Sequence, residues 1–233
     1  TMLLHDGIEL PCIVETVYTI TEHRPPEYGF DGLWMLPRAD PAVATRLAIE
    51  VPKGTILHHA ERNGAPEPAV DRGGADADTY VWRAELVDRL ARPLTGGQTA
   101  YAPHVAWSTW ESWDALGDAI ATSVKSSASV DAALADSIAS LIEGRPVPIA
   151  RAQAVAEFVN ETTRAIRYDD SHWEFAPREA IRTWNTAYGH RLDRAVLAAA
   201  LFEEAGCPVT PAYRGAALWW ADDGVPTLAR FDG

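Results

Sequence analysis

The period of the apolar residues changes once along the chain. Up to about Thr109 it is the period of strands. Residues 13–20 are rich in β-branched side chains, residues 45–51 alternate polar and apolar before Pro52 stops the run, and residues 79–82 make a third candidate. Between them Arg62-Asn63-Gly64-Ala65-Pro66 and Asp71-Arg72-Gly73-Gly74 supply turn chemistry at the spacing of an antiparallel sheet. A sandwich-like β-domain is expected there. From Ser108 onward the period is helical, and Ser108 with Glu111 three residues later reads as a capping box. Residues 131–143 set Leu134, Ile138, Leu141 and Ile142 on one face and stop at Gly144. After the breaks at Pro146 and Pro148, residues 149–165 stack Val155, Phe158 and Val159. A third helix is expected to begin near Pro177 and to carry Ile181 and Trp184. The last spans about 190–205, with Leu192, Ala195, Val196, Ala199 and Phe202 inward and Gly206 closing it. Residues 208–214 and 216–220 read as strands, followed by a turn at 221–224.

Composition agrees with a folded protein: 233 residues, 47% hydrophobic and 23% charged. A chain of this length buries roughly 70% of its unfolded surface without needing staples. Two cysteines, Cys12 and Cys207, make neither a disulfide framework nor a four-cysteine zinc site. A net charge of -13 disfavours attraction to a phosphate backbone, which argues against nucleic acid as a partner. The longest strongly apolar stretch, residues 195–202, is far short of the roughly 20 residues that cross a bilayer, so no membrane span is expected. The first residues lack the basic region and long apolar run of a secretory signal.

Several chemistries find no support. There is no Gly-rich phosphate loop, no Gly-x-Ser-x-Gly elbow, no His-Glu-x-x-His and no Cys-x-x-Cys. His58 and His59 are adjacent, so on a strand they point to opposite faces and cannot share a metal; they read as a solvated strand end. No cofactor and no metal site is expected. Trp107, Trp110 and Trp113 form either a sugar-stacking platform or, as the size of the rings favours, a staple between the first helix and the β-domain. Cys207 follows a helix C-terminus, the wrong end of the dipole for a thiolate, and is expected to be an inert thiol.

Residues 158–168, FVNETTRAIRY, then 188–197, YGHRLDRAVL, then 201–206, LFEEAG, resemble the transglutaminase-like superfamily. The order of Val51-Pro52-Lys53-Gly54, Tyr80-Val81-Trp82 and Trp107-Ser108-Thr109-Trp110-Glu111-Ser112-Trp113 is similar to that in bacterial two-domain members, where a β-rich domain of unknown function comes first. In active members the helix start reads Gly-Asp-Cys-Lys-Asp-Lys-Ala. The positive helix end lowers the thiol pKa there, and a histidine held by an aspartate takes the proton. On that pattern Gly189, Asp193 and Ala195 match, Arg194 stands for a lysine, and Arg191 occupies the cysteine position. An arginine stays protonated and forms no acyl-enzyme. Residues 225–233 are similar to the strand carrying the family histidine, which puts Gly233 at the histidine position.

The resemblance implies an α+β fold: an antiparallel sandwich-like β-domain over 1–109, a helical connection over 110–149, and a partial transglutaminase-like, papain-like α+β core over 150–233 that runs on past Gly233. It implies no catalytic residue at the family's positions, and a groove turned to binding or scaffolding, lined or supported by His190, Asp193, Trp184, Tyr188 and Trp173. A peptide or a small anionic ligand is the implied partner. Arg191 there either presents donors to an anion or forms a buried salt bridge with Asp193 or another acid. The alternative is an active hydrolase or acyltransferase of the same fold without a cysteine, for which Asp193, His172, His190 and Asp169 are the acid–base candidates. Compartment stays open from these residues, export being implied by the resemblance alone.

Overall fold

In the computed structural model, residues 17, 29–36, 41–88, 102–166, 177–210, 212 and 224–231 are described. The strand expected at 216–220, all of that expected at 13–20 but residue 17, and Cys12, Asp169, His172, Trp173 and Gly233, lie outside them; of the strand expected at 208–214, residues 208–210 and 212 are described and join no strand.

Six strands form two antiparallel three-stranded sheets. The first has the order β1 (Asp31–Met35), β6 (His104–Ser108), β3 (His58–Arg62), and the second β2 (Ala42–Pro52), β5 (Ala77–Val87), β4 (Ala69–Asp71). The alternation in β2 is the reason for its long ladder with β5. Leu47 pairs with Trp82 and Ile49 with Tyr80 on one face, while Arg46 and Glu50 point the other way. Ile49, Val51, Tyr80 and Trp82 of the second sheet share a buried cluster with Trp34 and Val105 of the first, and Trp82 is fully buried. The turn after β3 uses Asn63 and Gly64, both at positive φ, as its sequence predicts.

His59 departs from the expected solvated strand end. It faces the second sheet, 5.8 Å from the Tyr80 ring and 5.6 Å from the Trp82 ring. Its Nδ1 lies 2.9 Å from Glu61 Oε1, the same oxygen that accepts the Trp82 indole N–H at 2.8 Å. The cause is the register: His59 stands opposite Trp107 and Glu61 opposite Val105, on the face that meets the second sheet.

Five helices follow: α1 (Trp113–Ser127), α2 (Ala132–Ile142), α3 (Pro148–Thr162), α4 (Ala180–Thr186) and α5 (Arg191–Glu204). The cap of α1 is Ser112, whose side chain accepts from Ala115 N–H, and not Ser108. Ser108 is the last residue of β6, which pairs on both sides, and its fully buried hydroxyl accepts from Trp110 N–H instead. The three tryptophans do pack. Trp110 is buried with Leu116 and Leu228, Trp113 meets Phe231 edge-on at 6.0 Å, and Trp107 lies so close over Gly32 that a Cβ there would come within 2.4 Å of its ring.

The helical core gathers Val124, Leu134, Ile138, Val155, Val159 and the face of α5. That face is Val196, Leu197, Ala200 and Leu201: of the expected Leu192, Ala195, Val196, Ala199 and Phe202, Val196 is buried, Leu192 and Phe202 pack half-buried on the core, Ala199 is half-buried and Ala195 is exposed. The helix is covered by α2, α3 and α4 together, which turns its buried stripe toward residues 197 and 201. The third predicted helix starts at Ala180, three residues beyond Pro177, because the Arg178 N–H is drawn to Asp193. A short parallel pair, β7 (Arg164–Ala165) with β8 (Tyr188–Gly189), takes the place of the expected last turn of α3. No helix among the described residues is long and apolar enough to cross a membrane.

Candidate functional site

The residues singled out by the sequence meet where α4, β8 and α5 join. The helix α5 starts abruptly, and its first turn leaves backbone N–H groups in need of acceptors. His190 is the N-cap, buried, with Nδ1 3.5 Å from the Leu192 N–H. Asp193 sits at the third helical position and its Oδ2 accepts from His190 N–H at 2.9 Å, so the pair forms a capping box with an imidazole in place of the usual hydroxyl. The other carboxylate oxygen accepts from Arg178 N–H at 2.9 Å. Asp193 is 3% exposed, and both of its oxygens are thereby satisfied by backbone donors.

The backbone passes close by. A Cβ on Gly189 would stand 2.8 Å from Asp193 Cβ and 3.0 Å from Thr183 Cγ2, so only glycine lets β8 run against the start of α5. Ala187, at φ 55, makes the left-handed step between α4 and β8. The Arg178 side chain spans this corner. Its Nη1 donates to Tyr188 O at 3.0 Å, its Nη2 to Thr186 Oγ1 at 2.8 Å and to Arg182 O at 3.3 Å, and its guanidinium lies 5.1 Å from the Tyr188 ring centre. Arg178 Nε and the hydroxyl of the fully buried Thr183 are buried and have no hydrogen-bond partner among the described residues. Arg194 turns the other way, donating to Thr163 Oγ1 at 3.0 Å and Asn160 Oδ1 at 2.7 Å, which ties α5 to α3.

Of the residues named from the sequence, His190, Asp193, Tyr188 and Arg191 are brought together. Arg191 is exposed at the first position of α5, so a buried ion pair with Asp193 is not formed; that carboxylate belongs to the backbone. Trp184 belongs elsewhere: it stacks on Phe158 with ring centres 5.1 Å apart and packs on the helical core. Arg178, Thr183 and Thr186 were missed by sequence reasoning, since their spacing matches no motif that ties them to the start of α5. Cys207 lies past the far end of α5, with Sγ 3.4 Å from Pro148 O. Among the described residues no group of three or more His, Cys, Asp or Glu side chains is placed to hold a metal ion.

Comparisons with known proteins bear on the fold. Residues 1–90 match the family described as a domain of unknown function with solved structure, DUF3857. No curated protein matches the chain. Among solved structures, the chain is similar to one described as a "putative protease" from Parabacteroides distasonis, with a TM-score of 0.70 and 17% identity over 89% of this chain. The chain spans 41% of the length of that protein. At that identity the likeness is one of fold. The described residues form a mixed α+β fold with antiparallel sheets and five α-helices, arranged as in a solved chain of greater length.

Proposed function

We propose that the chain is a catalytically degenerate, transglutaminase-like protein that binds a peptide or a small anionic ligand at the α4–β8–α5 corner. In this reading the two antiparallel sheets are the sandwich-like first domain of the bacterial two-domain type, and the helices begin a papain-like core. Arg191 stands where the family carries its cysteine, and Gly233 where it carries its histidine.

One observation carries the reading: the carboxylate at the corner is spent on the backbone. Asp193 accepts two N–H groups, one on each oxygen, and is not poised toward a substrate, while Nδ1 of His190 faces the first turn of α5. At the surface of the corner stand Arg191, exposed at the first position of α5, and Tyr188, whose ring carries the Arg178 guanidinium, so the corner presents cationic and aromatic groups to solvent.

The test is an amine-incorporation and peptide-hydrolysis assay on glutamine-containing peptides, with the native protein, an Arg191→Ala variant and a blank. Silence from both, together with anionic ligands that raise the Tm of the native protein but not of the variant, is expected. Turnover by the native protein that the variant loses would instead establish the active, cysteine-independent hydrolase or acyltransferase.

A further inference from the structure

The C-terminal half of α5 borders a second feature. With α1, residues 209–210 and Phe231 it encloses a cleft of about 720 Å³, a size that suits small organic ligands. The cleft exists because the facing helices carry small residues there, Gly117 and Ala121 on α1 and Ala199 on α5. A Cβ on Gly117 would meet nothing within 4 Å. The lining is apolar apart from Thr210 and two charges, Lys125 on α1 and Glu203 on α5.

Those two charges define what fits. Both are exposed, and among the described residues neither is in an ion pair. Glu203 lies in the last turn of its helix, where the exposed carbonyls already make the end negative and a carboxylate is disfavoured without a cation. A ligand carrying one sign of charge is repelled by one wall, and a neutral one leaves Glu203 uncompensated. An apolar body with an ammonium at one end and a carboxylate at the other satisfies both walls and the floor. We propose that this cleft binds a short peptide with apolar side chains as its zwitterion, the carboxylate meeting Lys125 and the ammonium meeting Glu203. The site is independent of the Arg191 corner, since 12 residues of helix at 1.5 Å each place Glu203 about 18 Å from Arg191.

Leucyl-leucine is the probe, titrated calorimetrically and by tryptophan fluorescence, Trp113 being part of the lining. Saturable single-site binding is expected, weakened up to about fivefold by N-acetylation or C-amidation, the scale of an exposed charge pair. Lys125→Gln weakens the free dipeptide by the same factor as amidation and leaves the amide unaffected; Glu203→Gln does so for the acetylated form. Gly117→Leu, which fills the cleft from an open helical position, abolishes binding without lowering the Tm of the unliganded protein, and Ala121→Leu serves as a second filling variant. Arg191→Ala binds as the native protein does. The proposal is overturned if the dipeptide does not saturate, if the doubly blocked form binds equally well, or if both filling variants bind undiminished.

Discussion

Asp193 is the residue on which the α4–β8–α5 corner turns. It accepts one N–H from its own helix cap and one from Arg178, fifteen positions earlier, so a single carboxylate fixes both the start of α5 and the lead-in to α4. Asp193→Ala should therefore cost more than an ordinary capping loss: about 1 kcal/mol for the cap and about 1–3 kcal/mol for the orphaned donor, read from urea unfolding. Gly189 is constrained from the same side. Gly189→Ala places a methyl 2.8 Å from Asp193 Cβ, and a loss of roughly 1–3 kcal/mol is expected, with Thr183→Ser a partial rescue because it removes the second close methyl. A loss that Thr183→Ser leaves untouched would mean that the backbone, not the side chains, takes up the strain.

At the scale of elements, the first sheet and the second are joined by more than apolar contact. Glu61 of β3 takes the indole N–H of Trp82 from β5, while His59 presses against Trp82 and Tyr80. Glu61→Ala leaves a buried donor unpaired and is expected to cost about 1–3 kcal/mol, with a changed near-UV circular dichroism as the tryptophan loses its fixed environment; an unchanged spectrum would count against the link. The α1 cap gives a simpler contrast: Ser112→Ala should cost about 1 kcal/mol. Much at this scale was legible in the sequence. The alternation in 45–51 and 79–82 marked β2 and β5, and Asp131 with Gly144 bracketed α2, because alternation and capping are local properties. The α1 cap was misplaced for a local reason as well: Ser108 and Glu111 match a capping box as a string, but residue 108 is held extended by strands on either side. The buried stripe of α5 was off by about one residue because its direction depends on which helices cover it.

Over the whole molecule, the chain closes on itself through Asp31. Its Oδ2 accepts from Thr227 Oγ1 at 2.7 Å and from Leu228 N–H at 2.8 Å, across nearly 200 positions, while Oδ1 accepts the Trp110 indole N–H at 3.3 Å. The first strand, Trp110 ahead of α1 and residues 227–228 are thus held by one side chain, and Val225 packs against Ala60 and Ala106 on the outer face of the first sheet. Asp31→Ala removes the acceptor of three hydrogen bonds, is expected to cost about 3 kcal/mol or more, and is expected to remove hydrogen-exchange protection at Leu228 while leaving the β2–β5 ladder protected; loss at both would mean that the sheets depend on this closure. By itself the sequence determined the two periods, the turn at residues 62–66, the five helices of the described residues, and the cluster of residues at the start of α5, because each rests on neighbours within a turn or a strand. Tertiary structure alone decided that Asp193 serves the backbone, that Trp184 belongs to the core, that His59 faces inward, and that residues 225–231 return to β1. Each of those outcomes pairs groups distant along the chain, and such pairing is set by how the layers pack, which no local pattern encodes.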